Sequence, residues 1–156
     1  MAFEITQTDP KHPGVRAMVF SALDELARRY GRDADDESLN FDELNPPNGA
    51  FFVAREEGHL CGGVAVRSIG DPKAMTLEVK RLWVRPDLRK RGLARLLMSA
   101  AEDWSRSAGY REIYLETGEG QPEAIAFYPT VGYVRVDAFP EGVHNYHEGL
   151  KFHKFL

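Results

Sequence analysis

The sequence predicts an α/β (α+β) fold in a single domain, residues 1–156, with a mixed sheet carrying helices on its faces. Three observations carry this: a pair of β-rich runs joined by a short turn in the first half, strand-like runs on either side of each later helical run, and no linker, repeat or low-complexity segment. The length suits one domain with a real core.

Phe3 and Ile5 alternate with polar neighbours, which predicts a short first strand broken by Pro10, Pro13 and Gly14. Val15, Met18, Val19, Ala22, Leu23, Leu26 and Tyr30 then recur at three- and four-residue steps up to Gly31, the pattern of an amphipathic helix with a glycine stop. Asn45-Pro-Pro-Asn-Gly49 signals a loop. The runs "AFFVARE" and "LCGGVAVRSI" follow, joined at Glu57, Gly58 and His59, and predict an antiparallel hairpin.

After Gly70-Asp-Pro72, the run "AMTLEVKRLWV" puts Met75, Leu77 and Val79 on one face, then resumes out of phase with Leu82 and Val84. A phase slip within one strand predicts a β-bulge near Lys80 and Arg81. From Gly92 to Ala108 the apolar positions Leu93, Leu96, Leu97, Ala100, Ala101, Trp104 and Ala108 mark an amphipathic helix stopped by Gly109. "REIYLET" reads as a strand, "PEAIAFY" as a short helix cut at Pro129, and "YVRVDAF" and "GLKFHKFL" as the last two strands.

Composition narrows the function. No apolar run reaches the roughly 20 residues of a membrane span. The N-terminus lacks the basic start and apolar stretch of a secretory signal, so the expected location is the cytoplasm. Cys61 is the only cysteine, which leaves no intrachain disulfide and no redox pair and points to a buried small hydrophobe. A net charge of −4 argues against a nucleic-acid partner, so any basic site must be local. The acidic stretch Asp33 to Glu43 reads either as a solvated loop or as an attractor for a cationic substrate.

The local basic site is Arg89-Lys-Arg-Gly-Leu-Ala94, where a strand gives way to a helix. The first turn of a helix presents unpaired N–H groups and partial positive charge, which favour phosphate oxygens. Gly92 removes an obstructing Cβ, and Arg89, Lys90 and Arg91 supply full charges. Neither G-x-x-x-x-G-K-[ST] nor G-x-G-x-x-G is present, so kinase and dehydrogenase readings have no anchor.

"EVKRLWVRPDLRKRGLARLLM" resembles the signature segment of the GNAT superfamily of acyl-CoA N-acyltransferases, a bulged strand leading to an [RQ]-x-x-G-x-[GA] loop that opens a helix, with Arg89, Gly92 and Ala94 at the three defined places. "QPEAIAFYPTVGY" resembles the second signature of that superfamily through Ala124, Phe127, Tyr128, Gly132 and Tyr133. Gln121 stands where asparagine is commoner, and Pro129 follows Tyr128 directly.

The resemblance implies a mostly antiparallel sheet of about six to seven strands, one of them bulged, with about four flanking helices. It implies acetyl-CoA as acyl donor and an N-acetyltransferase activity toward a primary amine of a small molecule or peptide. Leu82, Trp83 and Val84 would then pair with the pantetheine, with the Val84 N–H polarising the thioester carbonyl. Arg89, Lys90, Arg91, Gly92, Leu93, Ala94 and Arg95 would hold the pyrophosphate. Gln121 and Ala124 would lie beside the pantetheine, and Tyr128 would line the cofactor and protonate the departing thiolate.

An ammonium acceptor must lose a proton before it attacks, and a carboxylate is the natural acceptor. Glu78, on the bulged strand where the resemblance implies a glutamate, is the first candidate and Glu116 the second; a cross-strand ion pair with Lys80 or an arginine is the competing role for Glu78. His144, His147 and His153 lack the spacing of common zinc sites, so no metal is expected. No serine or cysteine has a base beside it, which favours direct attack in a ternary complex over an acyl-enzyme. The alternatives are a catalytically inactive acyl-CoA sensor and a nucleic-acid contact through Arg85 and its basic neighbours, the latter disfavoured by the acidic total. A homodimer is left open.

Overall fold

The computed structural model describes residues 2–19, 21, 40–143 and 149–156. Its strands are β1 (Glu4–Gln7), β2 (Gly49–Glu56), β3 (His59–Ser68), β4 (Thr76–Val84), β5 (Glu112–Thr117), β6 (Val134–Val136) and β7 (Leu150–Phe155). The helices are α1 (residues 13–19), α2 (Leu93–Ser107) and α3 (Pro122–Thr130). One seven-stranded sheet runs in the order β1-β2-β3-β4-β5-β7-β6. Every neighbouring pair is antiparallel except β4 and β5.

Period-two alternation sorts side chains to two apolar layers. Leu77 and Val79 of β4, Ile113 and Leu115 of β5 and Phe152 of β7 pack under Leu93, Leu97, Met98 and Ala101 of α2. Phe51 and Val53 of β2 and Ala65 of β3 face the other way, against Val15, Met18 and Val19 of α1. Ala50, Phe52 and Ala54 fill the α2 side, so β2 is apolar on both faces and reads in sequence as an unbroken run. Glu57 and Gly58, both at positive φ, turn the β2–β3 hairpin as expected, and His59 already belongs to β3.

The predicted bulge is present. Gly63 pairs with Trp83 and Ala65 with Lys80, so Val64 alone opposes Arg81 and Leu82, and Arg81 takes φ 56°. Three expectations differ. Three helices are found among the described residues rather than about four, and the second half of the first predicted helix, together with most of the acidic stretch, lies outside them. α3 runs through Pro129 to Thr130 although Pro129 has no N–H to give the Ile125 carbonyl, and the chain then leaves by tight closures: the Val131 and Tyr133 N–H groups both donate to the Tyr128 carbonyl. β6 stops at Val136, since Phe139 leaves the strand pattern to pack on the Tyr114 ring, with centroids 5.4 Å apart.

Gly62 sits beside the bulge, opposite Val84, where an added Cβ would stand 2.8 Å from the Trp83 carbonyl oxygen. Backbone cannot move aside as a flexible side chain can. Gly62→Ala is therefore expected to lower stability by about 1–3 kcal/mol, measured as a fall in the denaturation midpoint; an unchanged midpoint would refute the packing.

Candidate active site

The site begins where β4 and β5 part. Their parallel ladder has three pairs, Thr76 with Glu112, Leu77 with Ile113 and Glu78 with Tyr114, although β4 continues to Val84 and β5 to Thr117. On the other edge of β4, the Arg85 N–H donates to the Cys61 carbonyl at 2.9 Å, which makes the neighbouring Gly62–Val84 pair non-hydrogen-bonded. The Val84 N–H and C=O therefore point away from β3, into the gap. The Arg89 Nε–H takes the Val84 carbonyl at 2.8 Å and leaves the amide facing the opening.

The chain then turns through Pro86–Leu88 into α2. Gly92, at φ 82°, is the N-cap of α2; it brings no side-chain cap, and nothing lies within 4 Å of where its Cβ would be. The amides of Leu93, Ala94 and Arg95 have no carbonyl of their own helix to bind. An open helix start thus faces the same space as the open strand edge.

A cavity of about 730 Å³ joins them. Leu82, Trp83 and Val84 form its β4 wall. Arg89, Lys90, Gly92, Leu93, Ala94 and Arg95 form its α2 wall, and Gln121, Ala124 and Tyr128 of the α3 segment close it. Arg91 is the exception among the residues expected to hold the cofactor. It bonds Glu56 at 2.9 Å and lies over the Phe3 ring at 4.9 Å, because its position just before the helix aims it at the β1–β2 edge. Arg81, Leu88, Glu123 and Phe127 also line the cavity. Arg81 was visible in sequence only as a bulge residue, and Phe127 only as a motif match.

Tyr128 is buried against Phe127, Tyr133 and Phe152, with ring centroids 5.4–5.8 Å away. Burial raises its phenol above the ordinary tyrosine pKa.

The carboxylate candidates lie elsewhere. Glu78 is buried on the sheet face away from α2; its Oε1 accepts from Arg67 Nε and Nη2, both at 3.2 Å, and Lys80 Nζ stands 3.6 Å from its Oε2. Glu116 pairs with Lys151 of β7 at 3.3 Å. Neither lines the cavity. His153 bonds Glu112 at 2.7 Å and packs on Tyr114, whereas His144 and His147 lie outside the described residues. Within the acidic stretch, Asp42 pairs with Lys11 and Glu43 with Arg67.

The fold is that of solved acyltransferases. A Klebsiella pneumoniae protein assigned to the acyl-CoA N-acyltransferases matches with a TM-score of 0.79 at 26% identity, over 99% of this chain and 97% of that one. The PaiA N-acetyltransferase of Thermoplasma acidophilum, solved in complex with coenzyme A, matches with a TM-score of 0.74 at 16% identity over 100% of both chains. The architecture is thus of the acyl-CoA N-acyltransferase class. The chain itself belongs to the acetyltransferase (GNAT) family, whose model matches residues 18–133. It is also 29% identical over 143 residues to the uncharacterized N-acetyltransferase YjgM of Escherichia coli K12, covering 82% of this chain and 86% of that one. Family and relatives together support an N-acetyltransferase enzyme. No helix among the described residues is long and apolar enough to cross a membrane.

The cavity separates the basic residues by experiment. Because Arg91 is held by Glu56, Arg91→Ala is expected to leave coenzyme A affinity within about twofold, as losing an exposed ion pair would. Gly92→Glu, which puts a carboxylate at the open helix start, is expected to weaken it at least about tenfold. Calorimetry with coenzyme A checks both.

Proposed function

We propose that the protein is an acetyl-CoA-dependent N-acetyltransferase that passes an acetyl group to a primary amine of a small molecule or peptide by direct attack in a ternary complex. One observation carries the reading: the open Val84 amide and the open start of α2 face a single cavity. A thioester carrying a pantetheine and a pyrophosphate needs both, one for its carbonyl and one for its phosphates.

In this reading the amides of Leu93, Ala94 and Arg95, with Arg89 and Lys90, hold the pyrophosphate. Leu82, Trp83 and Val84 line the pantetheine, with the Val84 N–H turned toward it, while Gln121 and Ala124 pack from α3. The Val84 N–H stabilises the oxygen of the tetrahedral intermediate. The amine nitrogen forms the C–N bond, the C–S bond breaks, and Tyr128 gives its proton to the leaving thiolate. Because burial raises its pKa, Tyr128 keeps that proton through the pH range in which amines lose theirs.

Glu78 is the proposed acceptor of the proton lost by the amine, acting through water because its carboxylate lies outside the cavity wall. It stands at the last pair before β4 and β5 separate, on the face of the sheet that α2 leaves open. The two Arg67 hydrogen bonds favour a second role as a structural ion pair. Glu78→Gln separates the two: a base role lowers kcat and alters the acidic limb of the pH–rate profile, whereas a structural role lowers the melting temperature with kcat retained.

The reading as a whole is tested by calorimetry with acetyl-CoA and coenzyme A, followed by amine-dependent thiol release across an amine panel. Binding without turnover would favour an acyl-CoA sensor, and no binding would remove both. Tyr128→Phe is expected to lower kcat by about 10²-fold with little change in acetyl-CoA affinity. With wild-type Tyr128, kcat is expected not to fall between pH 8 and about 10; a basic limb there that vanishes in Tyr128→Phe would contradict a raised phenol pKa.

A further inference from the structure

α3 has a difficult task for its nine residues, since it presents Tyr128 to the cavity with a proline directly behind. What fixes the chain just beyond Tyr128 is a lysine from the far end of the sequence. Lys154 Nζ, from β7, donates to the carbonyl of Val131, the C-cap of α3, at 2.8 Å. The same ammonium donates to Oε1 of the buried Glu102 on α2 at 2.7 Å and lies 5.6 Å from the Tyr133 ring centroid. Glu102 Oε2 accepts the Tyr133 hydroxyl at 3.0 Å, and Arg106 Nη2 reaches Oε1 at 3.4 Å.

Room for this arrangement comes from Gly132. At φ 96° it adopts a backbone conformation that side chains disfavour, and a Cβ there would stand 3.2 Å from Lys154 Cε and 3.4 Å from Nζ. One cation therefore ties α2, the end of α3 and the residue that precedes β6. A positive charge at a helix C-terminus is favoured by the helix dipole, and here it also binds the orphan carbonyl directly.

The tied turn is in turn bonded to Tyr128. The Val131 and Tyr133 N–H groups donate to the Tyr128 carbonyl at 3.1 and 3.2 Å, and the Tyr133 ring packs edge-on to the Tyr128 ring. We propose that Lys154 is a positioning residue for Tyr128: through Val131 and the Glu102–Tyr133 pair it holds the turn after α3, and so fixes the phenol in the cavity wall. This rests on the acid role given to Tyr128 above. Lys154 touches neither the cavity nor a reacting atom.

The test is a double-mutant cycle with Lys154→Met, which keeps the packed stem but not the charge, and the milder Lys154→Gln, each made in wild type and in Tyr128→Phe. Melting temperature, acetyl-CoA affinity by calorimetry and kcat are measured for every variant. A displaced acid should lower kcat about tenfold in the Tyr128 background, leave acetyl-CoA affinity within about twofold, and cause no further loss in the Tyr128→Phe background. Lys154→Arg should recover part of the rate. The same fractional loss in both backgrounds would show a general structural effect and overturn the proposal, as would wild-type kcat in a folded Lys154→Met enzyme. Failure of both neutral variants to fold would assign Lys154 to stability alone and also overturn it. A Tyr128→Phe enzyme at wild-type speed would instead remove the acid role itself, and the positioning role with it.

Discussion

Backbone pairing between β4 and β5 ends at Glu78 and Tyr114, and the whole site depends on that interruption. A sheet interior normally leaves no peptide group without a partner, because an unpaired buried N–H costs as much as a lost hydrogen bond. Here the bulge at Arg81 turns β4 away after three pairs, and the strand continues to Val84, whose N–H faces the gap. Holding Arg81 at positive φ costs about 1–3 kcal/mol. The register on both sides of the bulge, Ala65 with Lys80 and Gly63 with Trp83, keeps it there. Packing of Leu93, Leu97 and Met98 under the sheet leaves β4 no freedom to close the gap.

Charge follows the same local logic. The chain carries −4 overall, yet the cavity wall holds Arg81, Arg89, Lys90 and Arg95 against the single carboxylate of Glu123. Screening at physiological salt limits exposed charges to about 8–10 Å, so the distant acidic residues neither cancel nor explain this patch. What lies within reach is the start of α2, where side-chain charge and backbone dipole point the same way.

Sequence showed those parts of the molecule whose cause is local. The slip between Val79 and Leu82 is a statement about strand phase, and it located the bulge; Gly92 between a strand and an apolar helix located the open helix start. It failed where a partner arrives from afar. Arg91 looked equivalent to Arg89, and only the fold brings Glu56, 35 residues away, to claim it. Lys154 read as one polar position in a last strand, because nothing local shows that β7 passes under the end of α3. "YVRVDAF" alternates well enough to be a strand throughout, but Tyr114 offered Phe139 a better contact than continued pairing.

The two faces of β4 divide the chemistry. On the face away from α2, carboxylates and cations are already matched: Glu78 with Arg67 and Lys80, and Glu116 with Lys151. Paired charges at such distances produce little net field a few ångströms away, and each pair is costly to break once buried. In the gap, the Val84 amide and the first-turn amides of α2 add backbone dipoles to the charge of the cations in the cavity wall. Such dipoles are held by the backbone and need no reorganisation when negative charge appears on an oxygen beside them. A sheet that gives up a few ladder bonds after Glu78 thus gains a fixed donor inside it, which no side chain on a flexible stem could supply as rigidly.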